Sequence, residues 1–151
     1  ISVMEQLLEK FPIYINDPKY QSLLSILKIG DTNIRASVRM NQAGMNFYNE
    51  QLYEAAIEHF EFAINYDPND YIFYENLAMA NNMQKNYKEA IVNFDKVIYE
   101  FKPGNGKAEY LKGLILIKLD SLDQACGYLK TASSLRFSGE SSEIVYRRFC
   151  N

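Results

Sequence analysis

His59 is the single histidine of the chain, and it is where a search for catalysis starts because an imidazole is the commonest general acid or base near neutral pH. It lies in a helical segment with Glu58 and Glu61 nearby. No Ser or Cys stands at a spacing that suggests a nucleophile paired with this ring. We therefore predict a partly exposed helical histidine and a chain that is not an enzyme.

Two loops resemble ligand sites but lack essential residues. The segment 104–107, Gly-Asn-Gly-Lys, resembles a phosphate loop, yet Phe101 stands where the first glycine belongs and Ala108 where Ser or Thr belongs. The segment 67–70 resembles a calcium loop, but Ile72 occupies the place of its obligatory glycine. The two cysteines are too few and too far apart for a zinc site. We expect neither a metal nor a cofactor.

The composition limits the class of protein. The 151 residues, 48% hydrophobic and 23% charged, fit one soluble globular domain. The net charge of −3 disfavours nucleic-acid binding, which needs clustered cations. No apolar stretch approaches the roughly 20 residues of a membrane-spanning helix. Because residue 1 is Ile, we expect a processed or trimmed chain in which a signal peptide or lipid-attachment segment would not be visible.

Most of the chain repeats with a period close to 34 residues, which must be recognised before the fold is assigned. Gly44 and Ala78 are 34 residues apart, and Ala78 and Gly113 are 35 apart. Pro103 arrives one residue later than the matching Pro68. Small residues and one large apolar residue recur at equal offsets: Gly44, Ala56, Phe60, Ala63 and Pro68, then Ala78, Ala90 and Phe94, then Gly113, Ala125, Leu129 and Ala132.

Each copy has the periodicity of two antiparallel helices joined by a short polar turn. We expect Gly44 and Ala56 to face each other where the helices approach most closely, since a larger side chain would clash there. Phe60 should fill the space beside them. The segment 67–70, Asp-Pro-Asn-Asp, should end one helix and cap the next.

These residues resemble the tetratricopeptide repeat (TPR) family over about residues 37 to 135. The resemblance implies an all-α, right-handed α-solenoid of three helix pairs. Asn81 and Lys112 depart from it, because the family usually has an aromatic residue and a Leu there. The predicted units are an N-terminal helical extension 1–36, repeats 37–70, 71–105 and 106–139, and a capping helix 140–151.

The two ends have different patterns. An apolar stripe over residues 3–11 predicts a helix that ends at Pro12, and a second short helix is predicted from near Pro18 to Gly30. This extension is interpreted either as an irregular cap or as a segment that lies in the protein's own groove. At the other end, residues 140–150 offer an apolar side that suits a capping helix.

Cys126 lies on the last repeat helix, and Cys150 ends the helix expected to pack on it. A disulfide between them is geometrically feasible and requires an oxidising compartment; the alternative is two thiols. The arrangement also resembles small secreted or lipid-anchored bacterial TPR proteins. We therefore favour an extracytoplasmic location, periplasmic or lipid-anchored, over a cytoplasmic one.

The concave face of the solenoid is the predicted binding surface. TPR domains that clamp a chaperone's C-terminal carboxylate have Lys and Asn in one repeat, Asn in the next, and Lys with Arg in the third. Asn76 and Lys107 fit this pattern, but Asn41, Met45 and Leu111 do not, so we expect no such clamp. The predicted groove is rich in Met, Tyr and aliphatic groups, and its residues are Asn41, Met45, Tyr48, Glu75, Met79, Asn82, Met83, Tyr110, Leu114 and Ile117.

This groove suits an amphipathic helix or an extended apolar peptide, because Met adapts to varied surfaces and Tyr adds area with a polar tip. The alternative is that the same Met and Leu side chains pack against neighbouring helices. We predict a non-catalytic protein-interaction scaffold whose protein or peptide partner is unknown. A different hypothesis is a self-associating structural module, such as a homodimer, whose groove is filled by its own N-terminal helices or by another copy.

Overall fold

The computed structural model describes residues 18–137 and 140–150, and over these residues the chain is helical with no strand. The repeat period is the reason, since each copy carries two amphipathic stretches of helical length. The helices are α1 (Pro18–Asn49), α2 (Tyr53–Tyr66), α3 (Tyr71–Met83), α4 (Tyr87–Lys96), α5 (Lys107–Lys118), α6 (Leu122–Ser134) and α7 (Glu140–Cys150). The predicted stripe at residues 3–11 and its end at Pro12 lie outside the described residues.

Antiparallel pairs form the stack. Helices α1 and α2, α3 and α4, and α5 and α6 pack against each other, and α2 and α4 pack against the first helix of the next pair. Helix α7 packs on α6 and caps the last pair. The architecture is the predicted right-handed α-solenoid of three helix pairs, with an N-terminal helical extension and a C-terminal capping helix.

The predicted helix end at Gly30 is wrong. Helix α1 runs without interruption from Pro18 to Asn49, so the boundary proposed at residues 36 and 37 falls inside it. A glycine in a helix interior costs about 1 kcal/mol relative to Ala, which is too little to end a helix whose later turns are packed. Residues 18–36 of the predicted extension and the first helix of the first pair are therefore one continuous element.

The turn inside each pair uses a residue other than glycine in the left-handed region. Gln51, Lys85 and Asp120 have φ angles of 64°, 64° and 54°. The residue that follows each of them donates its backbone N–H to a carbonyl five residues earlier; for example, the Asn86 N–H bonds the Asn81 carbonyl at 2.8 Å. This closure satisfies the last carbonyls of the first helix and fixes the reversal of the chain.

The extra residue between the second and third copies lies in a helix rather than in a loop. After α4 the chain continues as a π-helical turn, Val97–Phe101. Lys102 then adopts a left-handed φ of 52° and donates its N–H to the Val97 carbonyl at 2.9 Å. A π turn holds one residue more than an α turn, because its hydrogen bonds join residues five apart rather than four. This turn accounts for the late position of Pro103.

The small residues of the repeat line the closest helix contacts. A Cβ added to Gly44 would lie 2.6 Å from Cε1 of Phe60, and one added to Gly113 would lie 2.8 Å from Cγ of Leu129. These distances are too short for carbon atoms, so only glycine fits. The other predicted structural positions, apart from the exposed Pro68, are buried: Ala56, Phe60, Ala63, Ala78, Ala90, Phe94, Ala125, Leu129 and Ala132.

A covalent bond attaches the capping helix. Cys126 on α6 and Cys150 at the end of α7 form a disulfide with Cα atoms 5.5 Å apart. At the other end of α7, the Ser133 hydroxyl donates a hydrogen bond to Glu143, which also accepts one from Arg147 Nε at 2.7 Å. These two hydrogen bonds lower the pKa of the Glu143 carboxyl, that of Ser133 contributing most. The cap is thus held at both of its ends.

Candidate functional site

Helices α1, α3 and α5 are the first members of their pairs, and polar side chains link them on the face predicted to form the groove. Asn76 on α3 donates its side-chain N–H to the Asn41 Oδ1 on α1 at 2.8 Å. Asn76 is buried, whereas Asn41 is partly exposed. The two residues are 35 positions apart, so the stacking of one repeat on the next brings them together.

An ion pair links α3 to α5 on the same face. Lys107 Nζ lies 2.9 Å from Oε2 of Glu75. Glu75 is 2% exposed, although Lys107 in the first turn of α5 retains access to solvent. The Gly106 φ of 76° allows the chain to enter α5 at this point, and the Lys107 N–H donates to the Asn105 side chain at 3.0 Å.

A third cross-helix contact lies at the other end of α3. Lys118 Nζ donates a hydrogen bond to Asn82 Oδ1 at 3.3 Å and lies 5.8 Å from the centre of the Tyr87 ring. We call these three contacts between the first helices of successive pairs the polar ladder: Asn41–Asn76, Glu75–Lys107 and Asn82–Lys118. Asn41, Glu75 and Asn82 were predicted for the groove, but their bonds to Asn76, Lys107 and Lys118 were not, although the partners in each pair are separated by about one repeat length.

The apolar residues predicted for the groove divide into two groups. Met45 and Tyr48 pack against the core between the first pair and α3, and Met79 packs against the core of the second pair. Burial raises the pKa of the Tyr48 phenol, and the neighbouring Tyr53 raises it further. For these three residues the structure supports the alternative that Met and Tyr side chains pack against neighbouring helices.

The remaining predicted residues leave some apolar surface near the ladder. Met83, at the end of α3, is 45% exposed. Leu114 and Ile117 on α5 are partly buried. Tyr110 packs on Phe137, with ring centres 5.5 Å apart, and so contacts the loop after α6. The predicted groove residues therefore include three members of the polar ladder, Asn41, Glu75 and Asn82, together with apolar side chains beside it.

A buried cation lies at a different place, where the π turn meets the third pair. Lys112 forms an ion pair with Asp95, and its ammonium donates to the Tyr128 hydroxyl at 2.8 Å. The same ammonium lies 4.1 Å from the centre of the Tyr128 ring. The hydroxyls of Tyr99 and Tyr128 are 2.7 Å apart, and this bond is the main cause of the raised pKa of Tyr99. The network explains how Lys can replace the usual Leu at this position.

The other candidates for chemistry have local structural roles. His59 Nδ1 contacts the Ala55 carbonyl at 2.8 Å, and its ring centre lies 4.9 Å from that of Phe47. Asp70 caps α3 through a hydrogen bond from the Ile72 N–H at 2.9 Å, as the sequence predicts. Among the described residues no cluster of His, Cys, Asp and Glu could hold a metal ion. None of the described helices combines the length and hydropathy of a membrane span.

Comparison with solved structures identifies this fold with that of TPR domains. The TPR domain of Arabidopsis OM64 matches with a TM-score of 0.73 and 20% identity, over 78% of this chain and 96% of that one. The TPR2B domain of yeast Sti1, in complex with Hsp70, matches with a TM-score of 0.70 and 20% identity, over 75% and 94%. No family model and no curated protein matches the chain.

A third structure has somewhat higher identity. The second TPR domain of Spaghetti, bound to an HSP90 peptide, matches with a TM-score of 0.64 and 26% identity, over 69% of this chain and 95% of that one. These neighbours are protein-interaction modules, and the solved complexes among them hold peptides. The fold of this chain is therefore that of a TPR domain.

Proposed function

We propose that this chain is a non-catalytic scaffold that binds a peptide or helix of a partner protein along the concave face of α1, α3 and α5. The observation that carries the proposal is the fold itself, since TPR neighbours with the same helix stack bind peptides. The polar ladder supports it further. Hydrogen-bonding groups flanked by apolar surface are the usual composition of a peptide groove, because the polar groups fix orientation and the apolar surface supplies affinity.

We also propose an extracytoplasmic location. The Cys126–Cys150 disulfide supports it, because such bonds persist in oxidising compartments and are rare in the cytosol of mesophilic organisms. Mass spectrometry of the protein recovered from its own cells, with thiols blocked at lysis, is the direct test. Free thiols at both positions would contradict the proposed location.

The binding test uses a library of random dodecapeptides displayed on phage and selected against the immobilised, oxidised protein. Met83→Glu is the groove variant, since Met83 is 45% exposed and the substitution leaves the core intact. Met79 is unsuitable for this purpose because it packs against the core of the second pair. Val92→Glu is the matched control, because Val92 lies on the second helix of its pair and is 66% exposed.

Selected peptides should lose affinity for Met83→Glu by about tenfold or more, since a charge would then face apolar ligand surface. Their affinity for Val92→Glu should equal that for the parent. Peptides that bind both variants equally well would place the binding site outside the groove. Sedimentation of the free protein completes the test, because a dimer that Met83→Glu dissociates would instead favour self-association through this face.

A further inference from the structure

Two exposed apolar side chains stand at the same position of the first two repeats. Val38 on α1 and Ile72 on α3 are 34 residues apart, which is the repeat period, and they are 55% and 42% exposed. Ile34, one helical turn before Val38, is 53% exposed. None of the three was predicted for the groove. Single exposed apolar residues are common on protein surfaces, so their significance depends on whether they are neighbours.

The hydrogen bond between Asn41 and Asn76 makes these three residues neighbours. It joins α1 to α3 at 2.8 Å and fixes the register of the two helices, which run parallel because α2 reverses the chain between them. Val38 lies three residues before Asn41, and Ile72 lies four before Asn76. Both therefore fall one turn toward the helix N-termini, on the side of the bond. Ile34 continues this row along α1, and we call Ile34, Val38 and Ile72 the apolar rim.

The C-terminal end of α3 carries a different combination of groups. Met83 is 45% exposed there, and next to it the exposed Lys118 donates to Asn82 Oδ1 at 3.3 Å. No carboxylate of the residues that the structure describes pairs with the Lys118 ammonium. Lys107, by contrast, is neutralised by the buried Glu75. The uncompensated charge at this end of the groove is therefore positive.

We infer that the groove selects a peptide segment with apolar residues at one end and an Asp or Glu side chain at the other. The apolar residues contact the apolar rim, and the carboxylate pairs with Lys118. This inference rests on the proposed function and names the partner chemistry of the same groove. Because a side-chain carboxylate is sufficient, the segment can lie inside the partner's chain and needs no free C-terminus.

The length of α3 sets the spacing between the two parts of the ligand. Ile72 and Met83 are eleven residues apart on one face of the helix, which corresponds to about 16 Å. An extended ligand spans this distance with about five residues, and a helical ligand needs about eleven. Either spacing fits within the dodecapeptides of the library.

The first test asks whether selected peptides contact the apolar rim. The peptides are synthesised with both ends blocked, and thermal melting checks that each protein variant is folded. Val38→Ser and Ile72→Ser should each weaken binding about fivefold, because each removes most of an apolar side chain from the contact. Val92→Ser is the matched control, since Val92 is 66% exposed on α4, and it should leave the affinity unchanged.

The second test measures the charge contact by a double-mutant cycle. Lys118→Met removes the cation and keeps the length of the side chain, and Lys88→Met does the same at an exposed position on α4. At low ionic strength, replacing the acidic residue of the peptide by its amide should weaken binding about threefold to the parent and to Lys88→Met. The same replacement should hardly change binding to Lys118→Met. High salt should abolish the difference, because it screens an exposed ion pair.

The outcomes separate this inference from the proposed function. Peptides that lose affinity for Met83→Glu but bind Val38→Ser and Ile72→Ser as tightly as the parent would overturn the inference and leave the proposed function intact. Groove peptides that prefer Arg or Lys, or that bind only when their C-terminus is left free, would overturn it as well. Peptides that are insensitive to all three substitutions would instead refute the proposed function.

Discussion

Gly44→Ala is expected to destabilise the protein, although Ala is the better helix former. The new Cβ would lie 2.6 and 2.7 Å from Cε1 and Cδ1 of Phe60, about 1 Å inside normal carbon contact. Phe60 has no exposed surface, and Ala56, Leu77 and Ala80 enclose it. Overpacking at such a site costs about 2–3 kcal/mol, whereas the gain in helix propensity is about 1 kcal/mol. The net loss in the free energy of unfolding should be about 1–2 kcal/mol.

Gly127→Ala is the matched control. Gly127 lies in α6, is exposed, and a Cβ added there meets nothing within 4 Å. The same substitution should therefore stabilise the protein by about 1 kcal/mol through helix propensity alone. Urea denaturation at a fixed temperature, followed by circular dichroism, measures both variants against the parent. The two substitutions should have opposite signs, and a stabilising Gly44→Ala would refute the close contact between α1 and α2.

A second substitution locates the strain. Combining Gly44→Ala with Phe60→Leu should relieve part of the clash, because Leu lacks the ring atoms Cε1 and Cζ that lie 2.6 and 3.1 Å from the new Cβ. The double variant should lose less stability than the sum of the single variants, with a coupling energy of about 1 kcal/mol. Additive losses would mean that Gly44 is sensitive for a reason other than Phe60.

Three further expectations concern charge and the cap. Asp95→Asn should destabilise more than Lys112→Met, by about 2 kcal/mol in thermal unfolding, because the first leaves a buried cation unpaired and the second leaves an anion that is partly solvated. Replacing Cys126 and Cys150 by Ser should cost about 3 kcal/mol, and dithiothreitol should shift the melting temperature of the parent but not of this variant. Glu143→Gln should reduce the amount by which the free energy of unfolding falls when the pH is lowered. The pKa of the Glu143 carboxyl is lowered in the folded state, so its contribution is present above pH 4.5 and is lost as the pH falls through the folded pKa.

The helix pairs were predictable because their evidence is local and repeated. A small residue like Gly44 and a large apolar residue like Phe60 recur at the same spacing in each copy. Only close helix packing requires a small and a large residue at that spacing. The continuity of α1 was not predictable, since Gly30 carries a small penalty and the sequence does not show what the later turns pack against. Pro103 revealed an inserted residue, but a loop and a π turn fit that observation equally well.

The contacts between the first helices of successive pairs were less predictable from the sequence than the fold. Helix periodicity predicts the residues that face the groove. It does not predict the pairs that bond across the groove, because those depend on how far each repeat is shifted along the helix axis relative to its neighbour. Asn41 bonds a residue 35 positions away, whereas Lys118 bonds one 36 positions away. Met79, which was predicted for the groove, is partly buried and packs against the core of the second pair, a contact that helix periodicity alone does not reveal.

The π turn at Val97–Phe101 has a consequence for how this chain tolerates changes in length. Its five residues absorb one additional position, and α5 still begins in register to pack on α4. The stack therefore requires that α5 packs on α4 rather than that every copy has the same number of residues. Variants with one residue deleted between residues 97 and 101 should keep the third pair in place, while a deletion of the same size inside α3 would rotate every later contact out of phase.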